Sequence, residues 1–177
     1  PPGPKCPRLR RRHRRKLKAR RRQSRRPNQK RRSDRLFLIL GLGNPGPRFQ
    51  NTRHNVGFSV VEEVARRRGL RMRTPFLRPY LFAHDAALCL AKPLTYMNNS
   101  GDVFPALLRR RRARTLLVIC DNLDLPAGAC RLRRRGSSAG HKGLESIIRR
   151  IGSGDFMRLY VGIGHPGRTE QVVDHVL

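Results

Sequence analysis

The stretch LILGLGNPGPRFQNTRHNVG, residues 38–57, decides how the chain is read. An apolar run ends in Gly41, Gly43 and Gly46, which satisfy the spacing G-x-G-x-x-G. In a dinucleotide-binding unit the third glycine opens a helix at once, so that the helix N-terminus faces the pyrophosphate. Here Pro45 and Pro47 flank Gly46, and helical periodicity begins only near Val56. The acid expected roughly 20 residues on would be Glu62 or Glu63, and both fall inside that helical pattern. The glycines therefore do not make a nucleotide loop. The strand ends near Gly41, and the loop displays Asn44, Arg53, His54 and Asn55 beyond a strand's carboxyl end, where open α/β sheets bind ligands.

Working outward, short apolar runs alternate with amphipathic ones. LFLIL (36–40) and TLLVIC (115–120) are continuous apolar runs of strand length, the kind buried on both faces of a sheet. Residues 56–70 carry Val56, Val60, Val61, Val64 and Ala65 at helical spacing and stop at Gly69. Residues 80–91 read as strand material ending near Lys92-Pro93. A helix is expected over 100–113 with Ser100 as its cap and Pro105 near its start, and another over 140–152. ACRLR (129–133) alternates like a partly exposed strand, and FMRLYVGIG (156–164) reads as the last one. The pattern predicts an α/β domain over 36–177, a single layered unit with a mixed sheet flanked by helices, plus a basic N-terminal arm.

Two further polar loops leave predicted strand ends. KPLTYMNNSG (92–101) presents Asn98 and Asn99, and CDNLDLPAG (120–128) presents Asp121 and Asp124. Taken singly, His54 could be polar surface, LDLP a turn, and NNSG a helix cap. Together, three loops beyond strand ends can converge on one cleft, and the chemistry they permit is hydrolysis by an activated water. A histidine oriented by a carboxylate is a general base near neutral pH, and asparagine amides can hold an oxyanion or a substrate backbone. G-x-S-x-G is absent and no cysteine reads as a nucleophile, so a covalent route has no support. No metal or cofactor is expected.

The net charge of +30 points to a polyanionic partner. Residues 1–35 hold 18 Lys/Arg against Asp34 alone, so the arm carries +17 and residues 36–177 carry the other +13. Prolines at positions 1, 2, 4, 7 and 27 and a near-absence of apolar side chains predict disorder for the free arm. Residues 8–26 lack Gly and Pro and can become helical against phosphates, with Arg11, Arg12, Arg14, Arg15, Arg21 and Arg22 as the expected RNA contacts. No apolar run approaches the roughly 18–20 residues needed to span a bilayer, and the arm has no amphipathic anchor, so nucleic acid rather than a membrane is the expected partner. An Arg-rich, acid-poor N-terminus also resembles an organelle-targeting segment, and the start without Met suggests processing. Cys6, Cys89, Cys120 and Cys130 form no C-x-x-C pair, and three of them sit in or beside apolar runs.

The blocks GLGNPGPRFQNTRHNVGF, KPLTYMNNSG, DNLDLPAGACRL, GHKGL and FMRLYVGIGHPG, running in order from Leu36 to Gly167, resemble the bacterial-type peptidyl-tRNA hydrolases. The resemblance implies cleavage of the ester between a peptide and the tRNA 3′ end. It implies His54 as the catalytic base, Asp121 as its orienting carboxylate, and Asn44 and Asn98 as ligands of the peptidyl part. The family's GHNG reads GHKG here, which puts Lys142 where an asparagine helps to position water and substrate. Arg133, Arg134 and Arg135 stand where the family tends toward glycine and are expected to add phosphate contacts on the tRNA side. The family continues beyond the segment matching VVDHVL into a C-terminal helical segment bordering the cleft.

Two functional readings follow. The leading one is a hydrolase-like protein held on large RNA, a component or assembly partner of an organellar ribosome, in a mitochondrion rather than a chloroplast, with ribosomal RNA or tRNA and ribosomal proteins as partners. Plant organellar relatives of the same fold that act in RNA splicing make such a role reasonable. The alternative is an active peptidyl-tRNA hydrolase. Under either reading, deleting residues 1–35 is expected to flatten the dependence of log RNA affinity on log salt, because the slope counts neutralised phosphates. Filter binding across a KCl series checks this, and an unchanged slope would assign the phosphate contacts to residues 36–177.

Overall fold

The computed structural model describes residues 37–110, 115–168 and 171–177, with the side chains of 108–110 left aside. The arm and its arginines therefore lie outside the described residues, as does Leu36. Strands β1 (Phe37–Gly41), β2 (Tyr80–His84), β3 (Leu88–Pro93), β4 (Thr115–Asn122), β5 (Cys130–Arg133) and β6 (Met157–Gly162) form one sheet in the order β2-β3-β1-β4-β6-β5. The four inner strands are parallel, and the edge strands β2 and β5 run antiparallel to their neighbours. This is the mixed α/β sheet expected from the alternating pattern. Among the described residues no helix is long and apolar enough to cross a membrane.

The two apolar strand runs divide by parity, since successive side chains point to opposite faces. Leu38, Leu40, Val118 and Cys120 pack beneath helices α2 (Phe104–Arg110) and α3 (Lys142–Ile151), through Phe104, Leu107, Leu144 and Ile147. Ile39, Leu117 and Ile119 face the other way, onto Val61 and Ala65 of α1 (Val56–Arg67). Both faces are thus covered, which is why these strands are apolar throughout.

Two elements differ from the sequence expectation, and a third had none. Residues 80–91 are a hairpin rather than one strand, because Asp85 Oδ1 accepts the backbone N–H groups of Ala87 and Leu88 at 2.8 and 2.9 Å and folds the chain back. A polar side chain makes that turn without glycine or proline. The helix expected from Ser100 begins instead as a 3-10 segment, Met97–Val103, which leads into α2. Ser100 is no cap: fully buried, it donates its hydroxyl to the Met97 carbonyl at 2.8 Å. Finally, residues of the terminal VVDHVL form a short helix, α4 (Val172–Val176).

Gly41 and Gly57 serve contact between backbones. A Cβ on Gly41 would lie 2.1 Å from the Gly57 carbonyl oxygen, and one on Gly57 would lie 2.5 Å from Leu42 N and Ile119 O. Helix α1 therefore sits directly on the ends of β1 and β4. Gly41→Ala is expected to destabilise the chain by at least about 2 kcal/mol, since backbone cannot yield as a side chain does. Urea denaturation monitored by circular dichroism checks this.

Candidate active site

The strand order reverses direction at β1, which has β3 on one side and β4 on the other. A crevice opens outside the carboxyl ends of strands at such a point. Three segments enter it. The loop after β1 brings Asn44 and, through the 3-10 turn Arg53–Asn55, His54. The end of β4 brings Asp121, and the segment after β3 brings Asn98. All four line one cleft of about 600 Å³.

Asn44 and Asn55 hold the first loop in shape. The Asn44 backbone N–H donates to Asn55 Oδ1 at 2.7 Å, and Asn55 Nδ2 donates to the Asn44 carbonyl at 2.9 Å. Asn44 Oδ1 accepts the Met97 N–H at 2.7 Å, which ties the loop after β1 to the segment carrying Asn98. Both asparagines are buried, so these bonds form where water cannot replace them. With its oxygen engaged, Asn44 retains Nδ2 as the group able to donate to a ligand. Asn98 is exposed on the cleft wall.

His54 Nδ1 lies 2.8 Å from Asp121 Oδ1. The carboxylate is buried at 5 % exposure, whereas His54 retains 16 % on its side chain. A third group completes the cluster. His141 Nε2 is 3.0 Å from the same Asp121 oxygen, and the two imidazole centroids are 5.2 Å apart. Sequence reasoning passed over His141, although it stands in the quoted GHKG block; only the fold brings the start of α3 to the end of β4.

The other expected residues do not join this cluster. Lys142 lines the cleft, but its side chain is 72 % exposed and its ammonium reaches toward Glu145 at 3.5 Å. Arg133 pairs with Arg158 near the start of β6, while Asp121 sits level with Val161 toward that strand's end. Arg133, Arg134 and Arg135 are exposed along and beyond the β5 edge and do not line the cleft. Helix α4 contributes Val172, Val173 and Val176 to the cleft lining. His175 anchors that helix, donating from Nε2 to the carbonyls of Ile163 and Gly164 at 3.1 and 3.0 Å. Arg53 Nη1 in turn donates to the His175 carbonyl at 2.9 Å, which links α4 to the turn carrying His54.

Burial pushes the Asp121 carboxyl up, but hydrogen bonds from His141 and His54 outweigh burial and hold it well below the usual carboxylate range. Its folded-state value lies below its unfolded one. The ionised group therefore contributes stability that is complete above about pH 4 and is lost progressively as pH falls below that. Asp121→Asn abolishes this contribution, so the stability gap between the native chain and the variant is expected to narrow on acidification. Chemical denaturation at a series of pH values checks the sign.

A cleft with a carboxylate-bound imidazole, two asparagine amides and an apolar wall suits attack of water on an ester or amide. Comparison with known proteins agrees with that chemistry. The family model for peptidyl-tRNA hydrolase matches residues 38–177. The peptidyl-tRNA hydrolase of Aquifex aeolicus is 46 % identical over 149 residues, covering 80 % of this chain and 77 % of that protein. That of Persephonella marina is 45 % identical over 149 residues, with the same coverage of each. The crystal structure of peptidyl-tRNA hydrolase from Acinetobacter baumannii superposes with a TM-score of 0.74 at 36 % identity, covering 81 % of this chain and 76 % of that one. By sequence and by fold alike, the chain belongs to the peptidyl-tRNA hydrolase family.

Proposed function

We propose that the protein is an active peptidyl-tRNA hydrolase. The contact of 2.8 Å between His54 Nδ1 and Asp121 Oδ1, made inside a cleft that also presents Asn44 and Asn98, carries the reading. A water held against His54 Nε2 attacks the ester carbonyl while Nε2 takes its proton. The tetrahedral intermediate collapses with cleavage of the bond to the ribose 3′ oxygen, and the imidazolium returns the proton to that leaving oxygen. Asp121 remains ionised throughout and stabilises the imidazolium. Asn44 Nδ2 and the Asn98 amide supply donors for the peptide backbone and the developing oxyanion. The apolar wall from α4 accommodates the apolar part of the peptide.

Lys142 is compatible with this chemistry, since its exposed ammonium has Glu145 as a partner. The exposed arginines at the β5 edge, removed from the cleft, suit phosphates of the tRNA body while the acceptor end occupies the cleft. The other reading, a ribosome-bound component, rests on the basic arm, Arg133 to Arg135 and Lys142, and organellar residence, mitochondrial in preference to chloroplast, rests on the arm. The His–Asp pair and the relatives named as hydrolases favour catalysis.

Single-turnover hydrolysis of an N-acylated aminoacyl-tRNA tests the proposal. The native chain is expected to release free tRNA, His54→Ala to lose about 10²–10⁴-fold in rate, and Lys142→Asn to change little. No hydrolysis by the native chain, or undiminished hydrolysis by His54→Ala, would overturn it.

A further inference from the structure

The mechanism above requires His54 to present a bare Nε2, and an isolated imidazole has no reason to prefer the tautomer that does so. The preference is set outside His54. His141 is the N-cap of α3, where its Nδ1 accepts the backbone N–H groups of Gly143 and Leu144 at 3.1 and 3.3 Å. A ring nitrogen that accepts two amide protons carries none of its own, so the proton of neutral His141 is on Nε2. That Nε2–H donates to Asp121 Oδ1 at 3.0 Å. The ionised carboxylate can only accept, so the second contact to the same oxygen, at 2.8 Å, is also a donation, from His54 Nδ1–H. His54 Nε2 is then free of a proton.

We propose that His141 is a positioning residue for the hydrolysis, fixing Asp121 against the first amides of α3 and, through Asp121, the tautomer and orientation of His54. The inference rests on the reading of His54 as general base. A cap alone does not account for the residue: serine, threonine, aspartate or asparagine satisfies helix amides with a shorter side chain, whereas the second ring nitrogen reaches a buried carboxylate. A divalent metal does not account for it either. The ligand atoms of His54, Asp121 and His141 lie within 4.8 Å of one another, as a metal cluster would require. Ligation through His141 Nε2 would, however, strip that nitrogen of its proton while Nδ1 still accepts two amides, leaving an imidazolate or breaking the cap.

Two substitutions in the full chain separate capping from positioning. His141→Asn keeps an acceptor for the α3 amides but is too short to reach Asp121. His141→Gln places an N–H near the former Nε2 and gives up the close acceptor. The asparagine variant is expected to retain most of the parent's thermal stability and to lose about 10–100-fold in kcat with little change in KM, as for other histidine-orienting partners. Its acid limb of kcat/KM should move to higher pH, because a carboxylate relieved of one donor stabilises the His54 imidazolium more strongly. The remaining titratable side chains around the cleft, Asp124, Lys142, Tyr160 and His165, are unchanged in the variant. The glutamine variant is expected to keep more activity than the asparagine variant despite lower stability.

Parental kcat and an unmoved acid limb in His141→Asn, or activity ordered the other way between the two variants, would overturn the inference. His54→Ala run alongside separates the failures. If that variant still hydrolyses, the hydrolase reading fails; if it is inactive while His141→Asn behaves as the parent, only the positioning role fails. Imidazole ¹⁵N spectra of the unsubstituted protein give an answer independent of variant folding. The expected pattern is a proton on Nδ1 of His54 and on Nε2 of His141, and the opposite tautomer at either ring would overturn the inference.

Discussion

The arrangement depends on the contact between the Gly41 and Gly57 backbones. The absence of side chains at both positions lets α1 rest on the ends of β1 and β4, with a Cβ on Gly57 as close to Ile119 O of β4 as to Leu42 N. The Leu42 N–H donates to Ile119 O at 2.9 Å, so the loop after β1 continues the sheet for one more bond before it turns away. The 3-10 turn Arg53–Asn55 immediately precedes the helix, and its height above the sheet is the height of α1. Lifting the helix by the width of a methyl group would carry His54 away from Asp121. A packing constraint at two glycines thus becomes a distance between a proposed base and its carboxylate.

Two buried polar networks share the cleft and divide the work. Asn55, Asn44 and the Met97 amide brace its walls by joining the loops that follow β1 and β3. His54, Asp121 and His141 form its reactive part, joining the end of β4 to the start of α3. In low-dielectric surroundings such networks are worth most when every member is satisfied and are costly when one is not. The Asp121 oxygen accepts twice and the His141 ring is engaged at both nitrogens. Among the described residues His54 Nε2 has no partner, and it is the atom where the proposed chemistry needs a lone pair. Helix α4 supplies valines to the same cleft, so polar groups for the reacting bond and apolar surface share one lining.

Net charge read from the sequence overstates the surface. Arg158 on β6 is fully buried, its guanidinium 4.3 Å above the Phe156 ring and one of its nitrogens donating to the Gly154 carbonyl at 3.1 Å. It counts toward the +30 but offers no phosphate contact. The exposed basic side chains of β5 lie along a sheet edge, where charge also discourages pairing with another strand. The family match directs the phosphate argument toward tRNA, whereas composition alone allowed any polyanion.

Local rules were enough for much of the architecture. Unbroken apolar runs marked β1 and β4, helical periodicity ending in glycine marked α1 and α3, and prolines around Gly46 excluded a phosphate loop. These are properties of neighbouring residues, and a chain carries them whether folded or not. The polar loops beyond strand ends offered His54, Asp121, Asn44 and Asn98 among several polar residues for the same reason, and the family resemblance singled them out. What composition and spacing could not supply were relations between residues distant in the chain. Asp85 closes a hairpin because β3 must return beside β2, Gly101 lies against Ser146 of α3, and Lys142 is exposed while its neighbour His141 is largely buried. Asp121 and His141 stand 20 positions apart, and the residues between them hold no periodicity that would connect them. Their meeting is decided by where β4 ends and α3 begins in three dimensions, and with it the proton arrangement of the proposed base.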